Sequence, residues 1–251
     1  MKNNRKLVKI GSRTAKKGFE NEDDIVKKFN KWKEDKDAQE WLKIMGYLLK
    51  KIEKVKAIKL HGYKTDVQVQ ITIYFKEAIS AENLSIKLVS NPRGFNQIDK
   101  RWVKKYIEMW DIPKSVGNLL KFFTGKKKPM ISGLRDPRRM FLTEMTKKEQ
   151  RKIVGFFRKN KILIVSDILK GRGKFSAGWM LVALKLKSET RWVLKSINHA
   201  MNVFAKGKVS VTPQGSLKIG QITMQRKGGD GGRETAKMLQ FKINPVLLFD
   251  D

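Results

Sequence analysis

Gly62-Tyr63-Lys64-Thr65-Asp66-Val67-Gln68-Val69-Gln70-Ile71-Thr72-Ile73-Tyr74-Phe75 alternates strictly from Asp66 onward. Val67, Val69, Ile71, Ile73 and Phe75 fall on one side, and Asp66, Gln68, Gln70, Thr72 and Tyr74 on the other. That period of two predicts a strand with one buried face. A polar connection, Lys76 to Asn83, leads to a second apolar run, Leu84-Ser85-Ile86-Lys87-Leu88-Val89. Leu84, Ile86 and Leu88 share one face, which leaves Ser85 and Lys87 together on the other. If the two strands pair, Asp66, Ser85 and Lys87 converge. A carboxylate, a small oxygen donor and a lysine side by side suit a metal-dependent phosphodiester site. The same residues also suit a surface hairpin with a solvated polar face.

Composition narrows the partners. The chain has 251 residues, enough for one large or two modest domains, and 40% of them are hydrophobic, ample for a core. Against 24 acidic side chains stand 56 basic ones, a net charge of +32 spread along the whole sequence. Such self-repulsion is tolerated most readily by a protein that meets a polyanion, with nucleic acid ahead of a bilayer surface. Cysteine is absent, which excludes disulfides, zinc ribbons and thiol nucleophiles. His61 and His199 lie far apart, without metal-ligand spacing. No apolar run approaches the roughly 20 residues that span a bilayer. The basic N-terminus, Met1 to Arg13, lacks a signal-peptide core, so no membrane role and a cytoplasmic location are expected.

Outward from the hairpin, Gly11-Ser12-Arg13-Thr14 opens a predicted helix striped by Phe19, Ile25, Val26, Phe29 and Trp32. Glu20, Glu22, Asp23 and Asp24 occupy its early part, where acids favour the helix dipole, or where one carboxylate could be aimed at a metal. A second helix is expected over 37–52 and a strand over 55–60. Past the hairpin, Ser90-Asn91-Pro92-Arg93-Gly94-Phe95-Asn96-Gln97 is a loop. Its amides can read base edges and its Phe can wedge between base steps, or Phe95 can simply be buried at a helix entry. Helices are expected over 97–110 and 115–123, the latter closed by Gly125. Gly125 to Arg139, rich in Lys, Arg, Gly and Pro, predicts a hinge and a phosphate-contacting surface.

Further on, Thr146-Lys147-Lys148-Glu149 fits a capping box opening a helix to about Asn160. Strands are expected over 162–169 and 180–186, a helix over 192–204, and a hairpin from 209–212 and 216–225 about Pro213-Gln214-Gly215. Gln225-Arg226-Lys227-Gly228-Gly229-Asp230-Gly231-Gly232-Arg233 is neither a Walker loop nor a dinucleotide fingerprint. Arg226, Lys227 and Arg233 among glycines suit a duplex groove, or a hairpin tip with solvated charges. A last strand is expected over 238–243.

At these strings the chain resembles type II restriction endonucleases of the HinPI-like group, with HhaI and MspI types as more distant relatives. The resemblance is carried by Gly18-Phe19 with Asn21-Glu22, by Gly62 to Asp66, by Lys87 to Asn91 and by Arg93-Gly94-Phe95-Asn96-Gln97-Ile98-Asp99-Lys100. Asp167-Ile168-Leu169 with Gly171-Arg172-Gly173, Gln225 to Asp230, Gly232 to Ala236 and Met238 to Lys242 complete it. It implies a PD-(D/E)xK nuclease core, α/β (α+β), with a mixed sheet flanked by helices and a second α/β DNA-recognition lobe. We expect a catalytic lobe over about 1–124 and a recognition lobe over about 125–251, or the two packed as one domain.

The resemblance further implies Mg2+ as cofactor, with Asp66 as metal-binding carboxylate and Lys87 as the lysine of the motif. Ser85 takes the motif's third position, where the group has glutamine and most of the superfamily an acid. Glu22 matches a family glutamate and is expected near the metal, as is the backbone carbonyl of Ile86. The implied DNA-binding set is Arg93, Phe95, Asn96, Gln97, Lys100, Arg226, Lys227, Asp230 and Arg233. Within it Phe95 is expected to wedge at the recognition site and Gln97 to read bases. The partners implied are double-stranded DNA and a cognate DNA methyltransferase, for a monomer or homodimer. The rival function is a catalytically inactive sequence-specific DNA-binding protein.

Overall fold

The computed structural model describes residues 2–60, 68–91, 94–229 and 233–250. They fall into two compact units. One comprises Ser12–Asn96, Leu169–Val203 and Asn244–Asp251, the other Met1–Gly11, Gln97–Ile168 and Phe204–Ile243. A single boundary at 124/125 would cut the sheet of the first unit between its third and fourth strands.

That sheet has five strands: β1 (Lys54–Leu60), β2 (Gln68–Tyr74), β3 (Ile79–Val89), β5 (Trp179–Lys185) and β6 (Thr190–Ser196). They lie in the order β1-β2-β3-β5-β6, antiparallel except for the parallel β3–β5 pair. A parallel neighbour needs a long crossover, which is why β5 comes so far along the chain. β3 begins earlier than the sequence suggests. The connection from β2 tightens to Phe75–Ala78, where the Phe75 amide donates to the Ala78 carbonyl at 2.9 Å. Polar Ser80, Glu82 and Asn83 hide the strand, yet Glu82 is satisfied by Tyr47 Oη at 2.6 Å and Trp179 Nε1 at 2.8 Å. Burial and this carboxylate push the Tyr47 phenol up to about 12.

Helices α1 (Lys2–Asn30) and α2 (Lys36–Ile44) supply the apolar cover. α1 starts well before the expected Gly11-Ser12 opening, so the acids at 20–24 are no longer in a first turn. α2 is capped by Asp35, whose carboxylate accepts the Ala38 amide at 2.9 Å. It stops short of the expected residue 52 because Gly46 turns the chain at φ 90°, a value that suits glycine alone. Ile25, Phe29, Trp41 and Leu42 meet Val55, Ala57, Val69, Ile71, Ile73, Leu84 and Ile86 in one buried cluster. Each such large side chain contributes about 1.5–3 kcal/mol by leaving water. The Trp41 ring lies 5.3 Å from Phe29 and 5.3 Å from Trp192. Asn30 closes the sheet edge, accepting the Ala57 amide at 2.8 Å and donating to its carbonyl at 3.2 Å.

The second unit holds an independent sheet of β4 (Asn96–Arg101), β7 (Val209–Val211), β8 (Leu217–Ile219), β9 (Ile222–Arg226) and β10 (Leu239–Ile243), in the order β4-β10-β9-β8-β7. The helix expected over 97–110 is therefore β4 followed by α3 (Val103–Trp110). Asp99, 1% exposed, holds the junction: it takes a two-pronged bond from Arg101 and the Tyr106 hydroxyl. Helix α4 (Lys114–Thr124) ends at Gly125 and α5 (Lys147–Lys159) opens on the Thr146–Glu149 capping box, both as expected. The aromatic core stacks Tyr106 on Trp110 at 4.8 Å, with Phe241 at 5.7 Å and Phe157 at 6.3 Å from Trp110.

Two further expectations fail on periodicity. Residues 161–169 form helix α6 (Lys161–Leu169), not a strand: Ile164, Val165 and Ile168 are buried while Ile162 and Leu163 are exposed. A continuous apolar run hides that helical spacing. Residues 192–204 begin as β6 and only then become α7 (Ile197–Ala205), because Trp192 pairs with Ala183 of β5. The hairpin expected over 209–225 carries a second turn at Gly220-Gln221, which divides its long arm into β8 and β9.

Candidate functional site

β3 is the middle strand of its sheet, so its side chains have fixed neighbours on both sides. Ser85 stands opposite Gln68 of β2 and Met180 of β5, and Lys87 opposite Val182. Leu84 and Ile86 point into the apolar cluster under α1 and α2. Ser85 and Lys87, on the other face, are 4% and 5% exposed. This is not the solvated face of a surface hairpin. A lysine brought this far from water is costly unless the fold compensates its charge.

The α1 turn that carries Glu22 meets the far end of the same strand. Lys17, Glu20, Asn21 and Asp24 line a cleft of about 370 Å3 together with Leu88, Ser90 and Lys185. Two of the four acids are tied to lysines: Asp24 to Lys185 at 2.8 Å and Asp23 to Lys59 at 2.6 Å. Glu22 is turned inward and buried, like Asn21 beside it. In the sequence Asn21 stands beside Glu22 among the strings that carry the resemblance, with no site role of its own. Its side chain is 3% exposed, and among the described residues neither end of its amide has a hydrogen-bond partner.

Asp66, Arg93 and Asp230 lie outside the described residues. Among the described residues no group of three or more His, Cys, Asp or Glu side chains could hold a metal ion. What this unit offers is oxygen: the buried Glu22 carboxylate, the Ser85 hydroxyl and the Ile86 carbonyl. An all-oxygen set of this kind fits a hard divalent cation rather than a thiophilic one.

The loop after β3 returns to it. Asn96 Nδ2 donates to the Leu88 carbonyl at 3.2 Å, one residue beyond Lys87. Phe95 just before it is 51% exposed, so its ring is not buried at a helix entry. In the second unit, Gln97 and Lys100 sit on β4, each half-buried. Arg226 ends β9 with its side chain 10% exposed, and its Nε donates to the Ala236 carbonyl at 3.0 Å. The Lys227 amide donates to the Met238 carbonyl at 2.8 Å. Gly228 and Gly229 then turn the chain at φ 64° and 63°, two successive left-handed residues that glycine adopts without strain. Arg233, beyond the undescribed part of this loop, is exposed.

The R.HinP1I restriction endonuclease family model matches residues 45–249, most of the chain. The chain belongs to this family. It is a restriction endonuclease, a site-specific deoxyribonuclease. The matched stretch takes in every strand of both sheets and leaves Glu22 and α1 outside. The architecture agrees with a solved structure, restriction endonuclease MspI in complex with its cognate DNA. That likeness has a TM-score of 0.59 at 14% sequence identity, over 86% of this chain and 80% of the other, and it establishes the shared fold. No curated protein shows significant similarity to the sequence. No helix among the described residues is long and apolar enough to cross a membrane.

Proposed function

We propose that this restriction endonuclease hydrolyses one phosphodiester in each strand of double-stranded DNA within GCGC, after the first G, leaving 5′-phosphate and 3′-hydroxyl ends. The observation that carries the reading is the burial of Lys87 on the central strand, with Ser85 two residues before it, in a chain of this family. Mg2+ is the proposed cofactor, held by Asp66, the Ile86 carbonyl and Glu22, with Ser85 acting directly or through water. When bound, it supplies a positive charge that polarises the phosphoryl oxygen and offsets charge on the leaving 3′ oxygen.

The protein's own part is positioning and charge. Lys87, locked in register with Val182, presents its ammonium group to the attacking water and to the charge that develops on the phosphoryl oxygens. Asn96, pinned to Leu88, holds Phe95 at the strand's end, where an exposed ring can wedge at the recognition site. Gln97 is the proposed base reader, and the 225–233 loop is proposed to contact the DNA in the recognition region. A cognate methyltransferase would protect the host's own sites. Incubation with duplex DNA and Mg2+ tests the whole reading: discrete bands support it. Tight duplex binding with no cleavage under any divalent cation supports the inactive DNA-binding alternative, which the serine at position 85 favours.

A further inference from the structure

The loop between α4 and α5 contains an unbalanced cluster of arginines. Four guanidinium groups, those of Arg135, Arg138, Arg139 and Arg226, meet two carboxylates, Asp136 and Glu144. Glu144 is occupied by the backbone: it accepts the Arg135 amide at 2.8 Å and the Phe141 amide at 2.6 Å. Asp136 is gripped by Arg138, whose Nε and a terminal nitrogen lie 2.8 and 3.0 Å from its two oxygens. Arg139 and Arg226 approach Asp136 only to 3.7 and 3.6 Å, beyond hydrogen-bond reach.

Those two arginines are the more buried members, with side chains 15% and 10% exposed, against 73% for Arg138. Arg139 Nε is buried, with no acceptor among the described residues. Its guanidinium lies 3.7 Å from the centroid of Phe141, and that of Arg135 lies 3.9 Å from the same ring. Burial, with Arg226 close by, brings the Arg139 guanidinium down to about 10. Two buried cations thus share one carboxylate that an exposed third arginine already holds.

We propose that Arg138, Arg139 and Arg226 form a binding site for a phosphate-class anion, with Arg138 swinging off Asp136 as the anion enters. The anion supplies the negative charge that the cluster lacks, and guanidinium donors suit phosphate geometry. Two sources share this chemistry, a phosphodiester of the duplex backbone and free phosphate. The assignment to the duplex rests on the nuclease reading, whereas the charge balance does not. Arg226 then acts as a backbone anchor at the root of the 225–233 loop, not as a reader of guanine.

The full chain and its Arg138→Ala and Arg139→Lys variants test this in two arms. Arg138 is exposed enough for its loss to spare the fold, and Arg139→Lys keeps the charge. In the first arm, unfolding temperature is compared in inorganic phosphate and in chloride at matched ionic strength. The wild type is stabilised by phosphate over chloride, and Arg138→Ala loses most of that difference. In the second arm, cognate and random duplexes are titrated with salt in the presence of chelator. Arg138→Ala weakens both equally and reduces the salt slope by about 0.9 for the lost contact. A phosphate response without a slope change assigns the site to free phosphate. A chain that keeps the phosphate response yet binds no duplex sinks the nuclease reading and leaves the site standing. Equal stabilisation by phosphate and chloride, with an unchanged slope in Arg138→Ala, overturns the proposal.

Discussion

Lys87 of β3 stands opposite Val182 of β5, an ammonium group paired in register with a fully buried valine. In Lys87→Met cleavage should fall by about 10²–10⁴, the range for loss of a group acting on the proton and charge of the transition state. A variant that unfolds, or that cleaves at near wild-type rate, would make Lys87 a structural residue.

Asp66→Ala should abolish cleavage and leave duplex binding in place, since it removes the proposed metal carboxylate without touching the basic surface. Gel retardation alongside a cleavage assay separates the two effects. Loss of binding together with cleavage would move Asp66 into the DNA-contacting set.

Gln97, half-buried on β4, is proposed to read a base edge. Gln97→Ala should lower discrimination between GCGC and single-base variants by roughly 1–3 kcal/mol, the value of one good bidentate contact. Equal losses on cognate and random duplexes would place Gln97 among the structural residues of its strand.

Asp99 joins β4 to α3 through Arg101 and Tyr106 while only 1% exposed. Asp99→Asn removes the carboxylate that Arg101, with its side chain 35% exposed, donates to, and should cost about 1–3 kcal/mol. Chemical denaturation measures it. A loss under 1 kcal/mol would show that solvent already screens the pair.

Hydrogen bonds from Arg138 hold the Asp136 carboxyl below its usual range. The sign follows from linkage: a depressed carboxylate stabilises the fold above its unfolded pKa, and that contribution is lost as pH falls through the lower, folded value. The stability gap between wild type and Asp136→Asn should therefore be constant near neutrality and shrink below about pH 4, the ordinary aspartate value. Urea midpoints across this range check it, and a gap that widens in acid would contradict the assignment.

Much of the fold was legible where one face of an element is buried and the other is not. Val69, Ile71 and Ile73 gave β2 its period, and Thr146 with Glu149 marked the start of α5. Failures came where a single rule had to choose between periods. Ile162 to Leu169 is apolar almost throughout and carries no period to read. Asn96 to Arg101 looks helical until Asp99 is seen buried beneath Arg101 and Tyr106. β5 became a neighbour of β3 through a parallel pairing that no local pattern encodes. The common face of Ser85 and Lys87 on β3 was evident from strand alternation. The inward turn of Glu22, the burial of Asn21 and the crowding of arginines on Asp136 depend on contacts between distant segments, which spacing does not reveal.

The most direct test of the central claim is digestion of a plasmid of known sequence in Mg2+, followed by sequencing of the fragment ends. The account predicts discrete fragments whose ends all map to GCGC, cut after the first G with 5′-phosphates, and no product when the metal is chelated. Ends at any other sequence, or cleavage that persists in chelator, would contradict it.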